Sequence, residues 1–174
     1  RILLCLHEAD LSKYKDSMRP LIETDMAETE KILVLEQITG FTDVSAFTAA
    51  VQADEIEVID GGYCGNSSVE WAITSDGILV LFGEGTMPDY NSSSKKPWDG
   101  YQEYIYGAVV TGTVNNVGSY TFFNCRNLLV VYIEEGVTKI GEHTFFDCMN
   151  LVEVDLPNTV TTIGHGSFGG CNYL

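Results

Sequence analysis

Apolar residues return at the same phase every 23 positions over the C-terminal part of the chain. With residues 117–140, 141–163 and 164–174 aligned, Gly118, Gly141 and Gly164 coincide. So do Phe122, Phe145 and Phe168, then Cys125, Cys148 and Cys171, then Leu128, Leu151 and Leu174. Ile133 matches Leu156, and Val137 matches Val160. A fixed period of this length predicts one coil of chain per repeat, with an apolar face that only a neighbouring coil can bury. Phe145, Cys148 and Leu151 are therefore expected in the core. The runs 128–133 and 151–156 predict one parallel ladder, with Val131 or Glu153 and their neighbours facing outward onto solvent. The runs 137–140 and 160–163 predict the opposite side. Pro157 ends its strand where no ladder donor is needed. Glycine at the corner supplies either φ > 0 or a close backbone approach.

Upstream the period changes. Residues 69–73 and 78–82 are β-prone and flank Thr74-Ser75-Asp76-Gly77. Asp-Gly between two such runs predicts a β-hairpin. Strand character resumes over 104–110, 23 residues before the next ladder strand, so Val110 is the counterpart of Ile133 and Val114 of Val137. The stacked coils are expected to begin near residue 104 with a degenerate first coil. Residues 1–60 differ. Residues 1–6 read as a short strand, Asp10 as the N-cap of a helix ended by Pro20, and 31–38 as a strand or the end of a longer helix. Asp43 caps 44–52, where Val44, Phe47 and Val51 share a helical face. Residues 55–59 form a β-rich run, and Gly61-Gly62 reads as a break. The expected organisation is a small α/β or helical unit over 1–60, a β-hairpin cap or lead-in over 61–103, and repeats over 104–174. The expected fold class is α+β, with a solenoid of 23-residue coils.

Charge narrows the partners. The chain has 174 residues and a formal net charge of −16, with −8 in each of 1–60 and 61–174. Nucleic acid needs clustered Lys and Arg, and an anionic membrane surface needs basic segments, so neither is expected. No apolar run reaches the roughly 18 residues of a membrane helix, and residues 2–6 are too short for the apolar core of a signal peptide. The first residue is Arg1, which reads as a processed or cloned piece.

No constellation of catalytic groups is expected. The cysteines of the repeat read as an inward ladder of free thiols, inert when buried, with a disulfide between adjacent rungs as the alternative that their spacing allows. Their spacing is unlike a zinc knuckle. His143 and Cys148 are five apart, but Cys148 takes the interior phase and His143 a corner. His7 and His165 complete the histidines, and His165 aligns with Glu142 rather than with His143. Glu134-Glu135 are adjacent and point to opposite faces of a strand end, while Asp147 and Asp155 are scattered. Gly83-Glu84-Gly85 lacks the third glycine and following helix of a dinucleotide loop. Trp71 and Trp98, with Tyr90, Tyr101, Tyr104 and Tyr106, read as a cap over the first coil or as a sugar or peptide platform. No catalytic, cofactor-binding or metal residue is assigned, no cofactor is expected, and the ligand-binding residues are unknown.

The pattern Ile140-Gly141-x-x-Thr144-Phe145-x-x-Cys148-x-Asn150-Leu151-x-x-Val154-x-Leu156-Pro157-x-x-Val160-Thr161-x-Ile163-Gly164 resembles the BspA-like leucine-rich repeat. The preceding Trp71, Gly77, Gly83-x-Gly85-x-Met87-x-Asp89-Tyr90 and Pro97-Trp98 are similar to the β-segment that often leads into such repeats in surface proteins of anaerobic gut and oral bacteria. Together they span residues 63–174. The usual Ala before Phe is Thr121, Thr144 or Ser167 here, and Glu134-Glu135 replaces the Pro157-Asn158 of the next repeat. The resemblance implies a non-catalytic, secreted or surface-anchored bacterial protein that binds proteins or mediates adhesion. Its ligand would be a protein or glycan on a host or neighbouring cell surface, and no membrane insertion is implied. A spacer that displays another domain, or a fragment of a surface enzyme active outside the repeats, are the alternatives. The sequons at Asn66 and Asn91 carry no meaning in a bacterial product. Because the last coil stops at Leu174, the protein is expected to continue with more repeats or to self-associate through its uncapped C-terminal coil.

Overall fold

The computed structural model describes residues 56–174 together with Ala49. Ala49 is helical and exposed; strands and turns make up the rest of the described residues. The expectations for residues 1–48 and 50–55, including the helix over 44–52 apart from Ala49, lie outside the described residues.

Nine strands among these residues are numbered in chain order: β1 (Val58–Tyr63), β2 (Val69–Thr74), β3 (Ile78–Gly83), β4 (Gly107–Val110), β5 (Asn116–Val117), β6 (Val130–Ile133), β7 (Lys139–Ile140), β8 (Glu153–Asp155) and β9 (Thr162–Ile163). They form a six-stranded sheet of order β1-β2-β3-β4-β6-β8 and a three-stranded sheet of order β5-β7-β9. The expected hairpin is β2–β3, antiparallel, turning at Gly77 with φ of 77°. A Cβ there would stand 2.4 Å from the carbonyl oxygen of Tyr104, so only glycine fits. From β3 onward the pairing is parallel, β3 with β4, β4 with β6 and β6 with β8. Val110 pairs with Ile133, the counterpart expected from the period. The hairpin thus serves as the first rungs of the ladder that the repeats continue.

Between the two sheets lies one apolar cluster that runs from Cys64, Trp71 and Leu81 through Phe122 and Leu128 to Phe145, Cys148 and Leu151. Phe122 and Phe145 stack at 5.1 Å and 4°, and Phe145 and Phe168 at 5.2 Å and 12°. The expected burial of Phe145, Cys148 and Leu151 holds; none has accessible surface. The burial ends with the third unit: Ile140 is fully buried, whereas its counterpart Ile163 is 51% exposed.

Four local expectations are corrected. Val131 does not face outward. It is fully buried in the interior cluster, and the outward residues of β6 are Val130 and Tyr132. That outer face is not open either: Ala72, Ile78, Val80, Val109, Val130 and Tyr132 form a second buried apolar layer, which gives way to Glu153 and Asp155 on β8. The strands are shorter than the apolar runs: turns at 102–104, 126–127 and 149–150 lead into them, and residues 105–106, 128–129 and 151–152 lie between turn and strand. Finally, Gly61-Gly62 is no break. β1 passes through it, paired to Ala72 and Trp71, and a Cβ on Gly61 would sit 2.9 Å from the Trp71 carbonyl oxygen.

Candidate functional site

Each repeat turns a corner after its glycine. Gly118, Gly141 and Gly164 have ordinary backbone angles, and their value is close approach: a Cβ on Gly141 would lie 2.3 Å from the amide nitrogen of Ser119 in the unit before. The left-handed conformation comes two and six residues later, again in phase. It occurs at Tyr120, His143 and Gly166 (φ 59°, 51° and 64°) and at Asn124, Asp147 and Gly170 (64°, 60° and 78°). Asn, Asp and Gly suit that region. Histidine is also found there, whereas a bulky ring such as that of Tyr120 is strained, at a cost on the order of 1–3 kcal/mol. Gly166 shows what the turn asks for, yet the first two units carry Tyr and His.

Those side chains build a two-unit aromatic corner. Tyr120 stacks on His143 at 5.0 Å and 20°, and Phe123 on Phe146 at 5.9 Å and 18°. The columns touch sideways, Tyr120 to Phe123 at 5.3 Å and His143 to Phe146 at 5.4 Å. All four rings are half-buried. Nδ1 of His143 is shielded from solvent without a hydrogen-bond partner. The His165 ring meets His143 edge-on at 5.7 Å. In the third unit both columns end in glycine. A Cβ on Gly166 would lie 2.9 Å from Nε2 of His143, and one on Gly169 2.7 Å from the Phe146 ring. Exposed Glu142 and half-buried Asp147 flank the second unit. Arg126 donates through Nε to Oδ1 of Asn124 at 2.9 Å.

Under the corner, hydroxyls explain the missing alanines. Oγ1 of Thr121 donates to the Gly118 carbonyl at 2.7 Å, and Oγ1 of Thr144 to that of Gly141 at 2.9 Å. Ser167 Oγ reaches back one unit to the Gly141 carbonyl at 2.8 Å. Asn127 and Asn150 each donate through Nδ2 to a backbone carbonyl of the preceding unit, Glu103 at 2.7 Å and Arg126 at 2.5 Å. Glycine, hydroxyl, Phe, Cys, Asn and Leu thus each perform one task per turn of chain. Residues 104–174 match the family described as BspA type Leucine rich repeat region (6 copies).

Residues 104–174 are BspA-type leucine-rich repeats.

Among solved structures, the chain is similar to a leucine-rich repeat protein from Eubacterium ventriosum, at 28% identity and a TM-score of 0.59, covering 64% of this chain and 30% of that one. It is also similar to a leucine-rich repeat protein from Bacteroides ovatus (22% identity, TM-score 0.43, 66% and 32% covered). A third is a leucine rich cell surface protein from Faecalibacterium prausnitzii (21% identity, TM-score 0.41, 66% and 35% covered). The chain therefore spans about a third of the length of these proteins. No curated protein matches it.

In the lead-in and in the BspA-type repeats alike, the described cysteines are packing residues. Cys64, Cys125, Cys148 and Cys171 are free thiols. Sγ of Cys148 donates to the Phe122 carbonyl at 3.1 Å, and Sγ of Cys171 to that of Phe145 at 3.2 Å. Burial pushes the Cys125 thiol up to about 12, and burial also raises that of Cys148. A thiol so far from ionising is a poor nucleophile. The carboxylates brace neighbouring units: Oε2 of Glu134 accepts from the Gly112 amide at 2.9 Å and Oε1 of Glu135 from the Asn158 amide at 3.1 Å. With Tyr132, Asp155, Leu156 and Pro157 they line a groove of about 320 Å³. No group of three or more His, Cys, Asp or Glu among the described residues is placed to hold a metal ion. The tryptophans face inward, not outward as a platform: Trp98 is fully buried, packs edge-on to Trp71 at 5.9 Å and Tyr90 at 5.8 Å, and donates through Nε1 to the Thr121 carbonyl at 3.1 Å. Sequence reasoning missed the aromatic corner. The available signal was Tyr120 and His143 at the phase where the third repeat has Gly166.

Proposed function

We propose that this chain is a non-catalytic binding module of a bacterial extracellular or surface protein, built as a short solenoid, and that the aromatic corner is its contact surface. The observation that carries the reading is the Tyr120–His143 stack, with Tyr120 held in a backbone conformation that opposes it while both rings are partly exposed. A spacer needs only bland, repeat-invariant residues at this corner, and Gly166 shows that the turn closes without a ring. Aromatic residues are enriched among those that dominate protein interfaces. The family resemblance supports a surface location and a protein-binding or adhesive role, and the burial of Cys64, Cys125 and Cys148, which opposes their ionisation, argues against thiol chemistry at those residues. The test is surface plasmon resonance of the whole chain against immobilised extracellular-matrix proteins and a glycan panel. Saturable binding to at least one ligand, weakened in a Tyr120→Gly/His143→Gly variant, is the expected result. The reading fails if no ligand binds saturably, or if binding survives the double substitution unchanged.

A further inference from the structure

The chemistry of the contact can be taken one step further. We infer that the aromatic corner accepts a basic protein surface, with Lys or Arg side chains flanking an apolar centre. The inference rests on the binding role proposed above.

Ring geometry favours a protein over a glycan. A sugar packs its C–H face on an open ring face, where the negative side of the aromatic quadrupole lies. Here His143 has Tyr120 on one side and the Gly166 backbone on the other, and Phe146 lies between Phe123 and Gly169. Tyr120 and Phe123 each spend one face on their partner below. The two stacked columns touch sideways and run across both units as one half-buried apolar strip, a surface that side chains of another protein can pack against. Charge decides the partner's sign. Glu142 and Asp147 border the strip, two carboxylates against the cation of nearby Arg126, and the chain carries −16 overall. A partner bearing cations at its rim gains both encounter rate and register.

The test uses the whole chain and three immobilised probes: a synthetic peptide of alternating leucine, tyrosine and lysine, the same peptide with glutamate for lysine, and a set of plant and mucin oligosaccharides. Two variants accompany it, Tyr120→Gly/His143→Gly and Glu142→Gln/Asp147→Asn. Each replaces a residue by one that the same turn tolerates elsewhere or by its neutral isostere, and circular dichroism confirms the fold. The lysine peptide is expected to bind best, to lose about tenfold in affinity in either variant, and to weaken as salt rises. Equal binding of the lysine and glutamate peptides, or an unchanged affinity in the charge variant alone, would overturn the basic partner and leave the corner as contact surface. Oligosaccharide binding lost in the aromatic variant would overturn the protein partner in the same way. Lysine-peptide binding untouched by both variants would overturn the corner itself.

Discussion

At the scale of single residues, the repeat separates positions that hold the chain together from positions the chain merely tolerates. Phe145 sits between Phe122 and Phe168, fully buried and in stacking contact on both sides. Removing its ring leaves a cavity in a continuous core, so Phe145→Ala is expected to cost about 3–5 kcal/mol. His143 is a different case. His143→Gly loses its stacking contacts, each worth about 0.5–1.5 kcal/mol, but relieves a left-handed φ of 51°. The two effects nearly cancel, and the change in unfolding free energy should stay within about 1 kcal/mol. Urea titrations of the two variants measure both. A His143→Gly variant as damaged as Phe145→Ala would mean that the corner ring is structural, and would remove the main support for a binding role.

Between elements, the lead-in and the repeats are joined by a few directed bonds. Oδ1 of Asp89 accepts from the Ser119 amide at 2.7 Å, and the Asn116 side chain clamps Met87 by accepting from its amide at 2.8 Å and donating to its carbonyl at 3.3 Å. The Ser119 amide is the main reason the Asp89 carboxyl is held below its ordinary value; burial opposes this, and the Ser119 hydroxyl and Lys139 add to it. A carboxyl with a depressed folded pKa stabilises the fold above its unfolded pKa of roughly 3.9, and this contribution fades as pH falls through the folded value. Asp89→Ala should therefore lower stability at pH 7 by no more than about 1 kcal/mol, since the group is exposed. The variant and the parent should converge near pH 2. Denaturant midpoints at pH 7, 4 and 2 check this. A deficit that persists undiminished at pH 2 would show that the bond matters through geometry rather than charge.

The same element scale shows what was legible in the sequence. The hairpin was readable because Asp76-Gly77 demands one turn geometry, and the ladder because Phe, Cys and Leu recur at one phase. The facing of β6 was not. Residues 128–133 are apolar throughout, since β6 is buried on both sides, and a run without alternation carries no parity. The paired strand did carry it: in β8, Glu153 and Asp155 alternate with Val154, and Val131 pairs with Val154. Strand ends were overestimated for a related reason, since apolar residues such as Leu128 and Leu151 fill the core from just outside the strands. The corner site was hidden because φ is not a composition signal when the occupant is Tyr or His rather than Gly or Asn.

At the scale of the whole molecule, the question is whether lead-in and repeats unfold as one body. Stacked repeats contact only their neighbours and can lose cooperativity along the stack. Here the interior cluster is unbroken from Cys64 to Leu151, and β3 pairs directly with β4. Trp98 bridges the junction, with its ring among the lead-in aromatics and its Nε1 on the Thr121 carbonyl. The interface between the two parts is thus made of the same core that holds each of them, which predicts a single transition over residues 56–174. The two tryptophans make this measurable, because Trp71 and Trp98 both report on the lead-in. Their fluorescence in urea should share one midpoint with the opening of β6 followed by amide hydrogen exchange. Only the third unit should exchange ahead of that event, since Ile163 and Leu174 are 51% and 54% exposed where Ile140 and Leu151 are fully buried. If β6 opens at lower denaturant than the tryptophans report, the repeats are a separate cooperative unit, and the parallel pairing of β3 with β4 contributes less than their shared core implies.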